Sequence, residues 1–440
     1  MNILNIDWQP VQKHVSGLKL WDKNPRKISP EGYAELVADI KRDGFHDVLL
    51  VDTDNTVLSG NQRKTVLEEL GIEQVWCLVP ERALTEEERD RVGLSSNLHR
   101  GKFDFRSLGE NFDADLLAGV GFSPTDIDRA FDLKTSDDKF DEENDVKKDA
   151  EPVAKQGDLY QLGDHFVMCG DSTSREDVER LMGGVKANLI FTDPPYMVDY
   201  HSQRGIGYES KKFGGKGEKI FNDNLDDEKA LQFYVDVLNN LYEHSEDNAP
   251  LYWWYANKNA LINYLAWAET GWQLSQVVIW LKNSMVFSKG QDYHRCFEPC
   301  MFGWKKKKTH FRNTEVANLK DVWMQMDFDT FQDQLDVWFQ KRDTTNEYVH
   351  PTQKPVQLCE RALRKSTGIG SVVLDLFGGS FSTMVACHQM KRKARVMELD
   401  PKFVDVGIIR MLQLDPSLTL TRNGGPVDTG LWLDNNRVKS

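Results

Sequence analysis

Long uninterrupted apolar runs are missing from this 440-residue chain, whose most hydrophobic stretches are broken by charged or polar side chains well before the roughly 18 residues of a membrane-spanning helix. Its first residues carry no basic-then-apolar signal, so neither export nor membrane insertion is expected, and a cytoplasmic location is. Cysteine is sparse: the six (Cys77, Cys169, Cys296, Cys300, Cys359, Cys387) include no Cys-x-x-Cys pair, which fits reduced thiols. His294, Cys296, Cys300 and His310 cluster in sequence, but their spacing matches no common zinc site, so packed thiols and surface imidazoles are expected and no metal. Positive charge is also short, at 55 basic against 69 acidic residues for a net charge of −14, which excludes a chain that coats nucleic acid through a global field. Any such contact must come from local patches. No internal repeat is visible.

What the chain does have is core-forming material: 40% hydrophobic residues, 12 Trp and 22 Phe, in a length that implies two or three domains. Residues 1–104 read as a small α+β unit. An amphipathic helix over Glu31–Arg42 precedes an apolar strand at Val48–Val51, a turn at Asp54–Asn55 and a strand at Thr56–Leu58. A helix from Asn61 to Leu70 and a strand near Val75–Val79 follow. Residues 105–132 read as a helical extension, with Ser123–Pro124 as N-cap and first turn of a short helix. Residues 133–155 are charged and nearly free of large apolar side chains, so a linker is expected. From 156 to about 415, short apolar runs such as Asn188–Thr192, Val277–Leu281 and Val372–Leu376 alternate with helical patterns, as in a doubly wound parallel sheet. Residues 416–440 show little periodicity and read as a tail.

The sharpest chemical signal is Asp193-Pro194-Pro195-Tyr196, directly after the buried run 188–192. Residues at the carboxyl end of a strand in an open α/β sheet face the ligand crevice. An aromatic amine is a poor nucleophile because its lone pair is delocalised, so its N–H groups need acceptors that draw the nitrogen toward a tetrahedral form. Asp193 supplies one, and the carbonyl of Pro194, held by two prolines with fixed φ, supplies another. Tyr196 offers a flat face for a base removed from its stack. About 180 residues on, the strand Ser371–Asp375 runs into Leu376-Phe377-Gly378-Gly379-Ser380 and a helix over Ser382–Met390, a strand, glycine loop and helix start that suit an anionic or nucleoside-bearing ligand. The next strand, Ala394–Met397, ends at Glu398, about 20 residues beyond the loop, where a carboxylate grips ribose hydroxyls. A dehydrogenase uses a similar loop, but it opens its first βαβ unit and leaves Asp193–Tyr196 unexplained.

The order of these motifs resembles the β group of DNA amino-methyltransferases: Asp193–Tyr196, a target-recognition region at about 200–345, then His350-Pro351-Thr352-Gln353-Lys354-Pro355, the glycine loop, and Glu398-Leu399-Asp400-Pro401. The resemblance implies a Rossmann-like S-adenosylmethionine-dependent domain that methylates a flipped base in double-stranded DNA. The residues it assigns to catalysis are Asp193, Pro194, Pro195 and Tyr196, and those it assigns to the cofactor are Asp171, His350, Thr352, Lys354, Asp375, Phe377, Gly378, Gly379, Ser380 and Glu398. Asp rather than Ser at 193 points by resemblance to adenine N6, with cytosine N4 as the nearest alternative. A bacterial or phage source and a restriction-modification setting fit the same resemblance. One departure is Phe381, where the family's Phe-x-Gly-Ser-Gly loop ends in glycine, and a ring there is expected either to narrow the pocket or to be tolerated. An inactive methyltransferase domain on a DNA-binding regulator, and methylation of structured RNA, are the other readings.

For DNA phosphates the sequence offers Arg204, Lys211 and Lys212 in a glycine- and lysine-rich segment, and Lys305 and Lys306 in a lysine run. The first unit resembles the ParB/sulfiredoxin-like fold through Asn24-Pro25-Arg26, Ser59-Gly60-Asn61-Gln62-Arg63 and Asn97-Leu98-His99-Arg100. That implies an anion site at Arg63 and Arg100 for a nucleotide or DNA, without sulfiredoxin chemistry, because Asn61 stands where its cysteine would be. The oligomeric state is left open, a dimer included.

Overall fold

The computed structural model describes residues 6–96, 98, 103–140, 151–197, 226–286, 295–311, 337–339 and 354–436, and the chain divides into two compact units, Met1–Leu133 and Lys134–Ser440. In the first, β1 (Trp8–His14), β2 (Lys19–Leu20), β3 (Leu49–Val51), β4 (Thr56–Ser59) and β5 (Gln74–Pro80) form one sheet in the order β1-β5-β3-β4-β2. The expected helices lie at Pro30–Asp43 and Asn61–Glu69. Ser29 caps the former by accepting from Gly32 N, Pro30 opens it, and Gly44 at φ 75° closes it. Leu49, Val51, Val57, Val66, Leu67 and Cys77 are fully buried between sheet and helices. β1 escaped the sequence reading because most of this edge strand is solvent-exposed and polar. Three short helices, Phe105–Asn111, Ala114–Val120 and Pro124–Ala130, are capped by Asp104, Asp113 and Ser123, the last as the Ser-Pro pair implied.

The second unit is built on β6 (Leu159–Leu162), β7 (His165–Cys169), β8 (Leu189–Thr192), β9 (Leu251–Trp254), β10 (Trp272–Val286), β11 (Arg295–Lys305), β12 (Val337–Phe339), β13 (Val372–Asp375), β14 (Lys393–Glu398), β15 (Leu420–Arg422) and β16 (Gly425–Pro426). Their order in the sheet is β12-β10-β11-β9-β8-β13-β14-β7-β6-β15-β16. The centre, β9-β8-β13-β14-β7, is parallel, and β10 and β11 pair antiparallel beside it. Strand alternation sends Leu189, Phe191, Tyr252, Trp254 and Val373 into one core and Ile190, Leu251, Trp253 and Leu374 into another. The sheet is therefore covered on both faces, as its near-continuous apolar strands required. From β8 the chain runs through the helix Asp227–Glu243 to β9 on one side. From β13 it runs through the helix Ser382–Gln389 to β14 on the other. β8 and β13 are thus the neighbours at which the winding reverses, and their carboxyl ends bound the crevice in which open α/β sheets hold ligands. The mixed α/β fold class is the one the sequence implied.

Two segments carry more structure than their composition suggested. Described residues of the charged stretch lie against the second unit: Thr135 N and Ser136 N donate to Glu360 and Gln389, Asp138 pairs with Arg410, and Val153 N and Ala154 N donate to Asp405. The tail adds β15 and β16 to the sheet edge and the helix Thr429–Asn436, whose Trp432 packs edge-on against Tyr160 at 5.6 Å.

Candidate functional site

Thr192 and Asp375, the last residues of β8 and β13, are both buried and bonded to each other, Thr192 Oγ1 donating to Asp375 Oδ1 at 3.0 Å. Asp375 also accepts from Phe377 N at 3.1 Å and from Thr383 Oγ1 at 2.7 Å, and Leu376 N donates to Thr192 Oγ1 at 3.2 Å. Burial pushes the Asp375 carboxyl up to about 6 against these donors. Asp375 therefore shapes the turn that follows β13 and locks it to the strand carrying Asp193.

In that turn, Gly378 N donates to Met397 O and Phe381 N to Gly378 O, both at 2.8 Å. Gly379 takes φ 50°, and a Cβ built on it would meet nothing within 4 Å, so its outer side is open. Glu398 at the end of β14 accepts from Gly379 N at 2.8 Å and from Asp400 N at 2.9 Å, and burial raises its carboxyl to about 7 despite those donors. Arg410 Nη1 holds the carbonyl of the buried Ser380 at 2.7 Å. Phe381 sits at φ 66° with its ring fully buried, filling the space left by Gly407, where a Cβ would fall 2.2 Å from the ring. The ring departs from the open side of the loop into the core.

Asp171, beyond β7, accepts from Thr173 N at 2.9 Å and Thr173 Oγ1 at 2.8 Å, so it forms a capped turn, and the adjacent Ser172 Oγ donates to Leu376 O at 2.8 Å.

Beside the loop, the Asp193–Tyr196 segment is held by its carbonyls. Tyr234 Oη donates to Pro195 O at 2.6 Å, and Asn259 Nδ2 donates to Tyr196 O and Met197 O at 2.7 and 2.8 Å. Lys354 was expected among cofactor residues, but its ammonium lies against this segment, paired with Asp193 Oδ2, 3.1 Å from Tyr196 Oη and 3.5 Å from Glu298 Oε2. Tyr196 Oη in turn donates to Glu298 Oε2 at 3.3 Å. Lys354 is only 6% exposed and lies 5.0 Å from the centre of the Trp254 ring. Burial disfavours its charge, but Asp193 and Glu298 outweigh that and hold it as a cation. Burial raises the Asp193 carboxyl above the usual range, with Lys354 opposing and Glu298 adding to the rise. Asp193 Oδ1 is buried and has no hydrogen-bond partner among the described residues.

Sequence reasoning missed Glu298, Thr192, Tyr234 and Asn259. The signal for Glu298 was a lone carboxylate within the apolar run 297–304, since such a charge needs a partner. One expectation, for Lys305, needs correction. Lys305 is 3% exposed, and its ammonium donates to Ser245 O at 2.7 Å, so it is spent inside the fold instead of meeting phosphates. Lys306 donates to Thr270 O at 2.7 Å and so closes the carboxyl end of the helix Ala260–Glu269. Arg63 is paired with Asp47 at 2.6 Å. Arg100, Arg204, Lys211, Lys212, His350 and Thr352 lie outside the described residues, as does His294. Cys300 is fully buried and His310 stacks on Trp304 at 4.0 Å.

A family model described as DNA methylase matches residues 187–409. The type II methyltransferase M.HpaI of Haemophilus parainfluenzae is 23% identical over 233 residues, 51% of this chain and 68% of that protein. The DNA adenine methyltransferase YhdJ of Escherichia coli (strain K12) is 37% identical over 62 residues, 14% of this chain and 21% of YhdJ. Among solved structures, the cytosine-N4-specific PvuII DNA methyltransferase aligns with 65% of this chain and 94% of its own at 14% identity and a TM-score of 0.42.

Proposed function

This chain belongs to the DNA methylase family, and from that premise we propose that it moves the methyl group of S-adenosylmethionine onto N6 of an adenine flipped out of double-stranded DNA. The observation that carries the reading is Asp193, tied through Oδ2 to Lys354 while Oδ1 is buried without a donor among the described residues. An acceptor left in that state costs about 1–3 kcal/mol, which an N–H from a bound ligand recovers. An exocyclic amine is a ligand of that kind. The Pro194 carbonyl accepts the second amino hydrogen, and Tyr196 gives the base a ring to stack on, its hydroxyl anchored by Glu298.

The glycine loop suits the cofactor. Gly379 lets backbone approach it while Gly378 lets the loop pack on Val396, the Glu398 carboxylate faces ribose hydroxyls, and the start of the helix Ser382–Gln389 receives its carboxylate. When bound, S-adenosylmethionine supplies a methyl on a positively charged sulfur, so the amine lone pair forms the N–C bond as the C–S bond breaks and its electrons stay on sulfur. Asp193 stabilises the charge that develops on nitrogen and takes its surplus proton. Phe381, turned into the core, leaves this side of the loop clear. Position 193 carries Asp, which favours adenine over cytosine N4 by family resemblance alone. The first unit, by its ParB-like motifs, serves as an accessory binder of DNA or nucleotide, with Arg63 at a helix start exchanging its Asp47 partner for the ligand's anion.

The test is transfer of labelled methyl to unmethylated genomic DNA, followed by nucleoside analysis. N6-methyladenine is expected, N4-methylcytosine would overturn the choice of base, and no transfer would overturn the proposal. Asp193→Ala should lower kcat by roughly 10²-fold or more while cofactor affinity stays within a few-fold.

A further inference from the structure

Glu298 and Lys354 come from distant parts of the chain to one carboxylate. Glu298 stands on β11, separated from β8 by β9, and Lys354 lies one residue before Pro355, the N-cap of the helix Val356–Ser366. The ammonium has three protons and meets three acceptors: Asp193 Oδ2, Tyr196 Oη and Glu298 Oε2. With all three engaged, neither the ammonium nor the Asp193 carboxylate it grips is free to rotate. We infer that Lys354 and Glu298 are positioning residues for methyl transfer, a charge clamp that holds Oδ2 of Asp193 and so turns its Oδ1 toward the amine. This rests on the reading of Asp193 as the acceptor of the amine.

The clamp has opposed halves. Lys354 draws Asp193 toward its ionised form, and Glu298 resists it. Among the described residues, the other titratable groups facing Asp193 are Tyr196, Cys300 and Asp375. Burial keeps Tyr196 and Cys300 protonated well above neutral pH, so neither supplies a charge that changes with the clamp. The two halves therefore move the ionisation of Asp193 in opposite directions, which a structural role in packing would not do.

The experiment measures kcat and KM for DNA against pH in the full-length wild type, Glu298→Gln and Lys354→Met. In Glu298→Gln the acid limb of the kcat profile should move down by about one pH unit, with cofactor affinity and KM within about threefold. In Lys354→Met the limb should move up by about one unit or more, so that kcat falls about tenfold on the acid side and recovers in part as pH rises. Limbs that stay in place, or a loss equal at every pH, would overturn the clamp. Should Lys354→Met fail to fold, the isosteric Glu298→Gln decides alone. A wild type that transfers no methyl to DNA would instead overturn the reading beneath it.

Discussion

Phe381 and Gly407 form a complementary pair, and replacing Gly407 by Ala tests how tightly they are matched. The new Cβ would lie 2.2, 2.4 and 2.4 Å from three ring carbons of Phe381, a ring with no exposed surface toward which to retreat. Overpacking of this kind costs about 1–3 kcal/mol. Against it, alanine inside the helix Pro401–Leu414 gains about 1 kcal/mol over glycine. Because three contacts are violated together, a net loss of about 2 kcal/mol is expected. Phe381→Gly alone removes a buried ring at about 3–5 kcal/mol and relieves a left-handed backbone at about 1–2 kcal/mol, for a net loss of about 2–3 kcal/mol. In the double variant the alanine meets empty space, so the second substitution should stabilise by about 1 kcal/mol. The coupling is then about 3 kcal/mol, read from urea unfolding of the four proteins as a double-mutant cycle. Additive losses, with coupling below about 0.5 kcal/mol, would show that the ring is not held against Gly407 and would remove the reason given for an open glycine loop.

Two further outcomes follow from buried groups away from the loop. Burial and the neighbouring His388 hold His165 down at about 4 from an ordinary 6.5, while its Nδ1 accepts from Ala394 N at 3.0 Å. On acidification the unfolded chain takes the proton first, so the stability His165 confers is complete above pH 6.5 and is lost as pH falls toward 4, about 3 kcal/mol in all. His165→Asn keeps an acceptor for Ala394 N and should flatten that loss in urea unfolding at successive pH values; an unchanged slope would contradict it. Lys305→Met should lower unfolding free energy by about 1–3 kcal/mol, because Ser245 O loses its donor, and should leave the salt dependence of DNA binding unaltered. A salt slope reduced by about one would return Lys305 to the DNA surface.

The parts of the site that were legible in the sequence are those whose neighbours in space are neighbours in sequence. Asp193–Tyr196 follows β8 directly, the glycine loop follows β13, and Glu398 closes β14, so an apolar run with a motif at its end located each. The strand expected at Val277–Leu281 is in fact part of β10 over Trp272–Val286, because pairing with β11 carries polar positions such as Gln273 and Gln276 into the ladder. Glu298 and Asn259 were hidden because their meaning lies in partners about 100 and 60 residues away in the chain. Lys354 was visible as a motif residue, but the direction in which it points is set by where β11 and β8 place two carboxylates. The charged stretch before residue 156 looked unable to order itself, and its described parts do so by supplying Asp138 to the buried guanidinium of Arg410.

The pairing of β8 with β13 also fixes the order in which the molecule can be assembled. Thr192 and Asp375, which lock the two strands together, are 183 residues apart, so the strand bearing Asp193 emerges from the ribosome long before its neighbour exists. Until β13 arrives, one edge of β8 has no ladder, and four fully apolar or threonine side chains stand on it. A long-range pairing of this kind is slow to form and exposes aggregation-prone strand in the interval. A nascent chain or proteolytic fragment ending before residue 371 therefore contains the whole Asp-Pro-Pro-Tyr motif but neither the strand that pairs with β8 nor the carboxylate that locks Thr192.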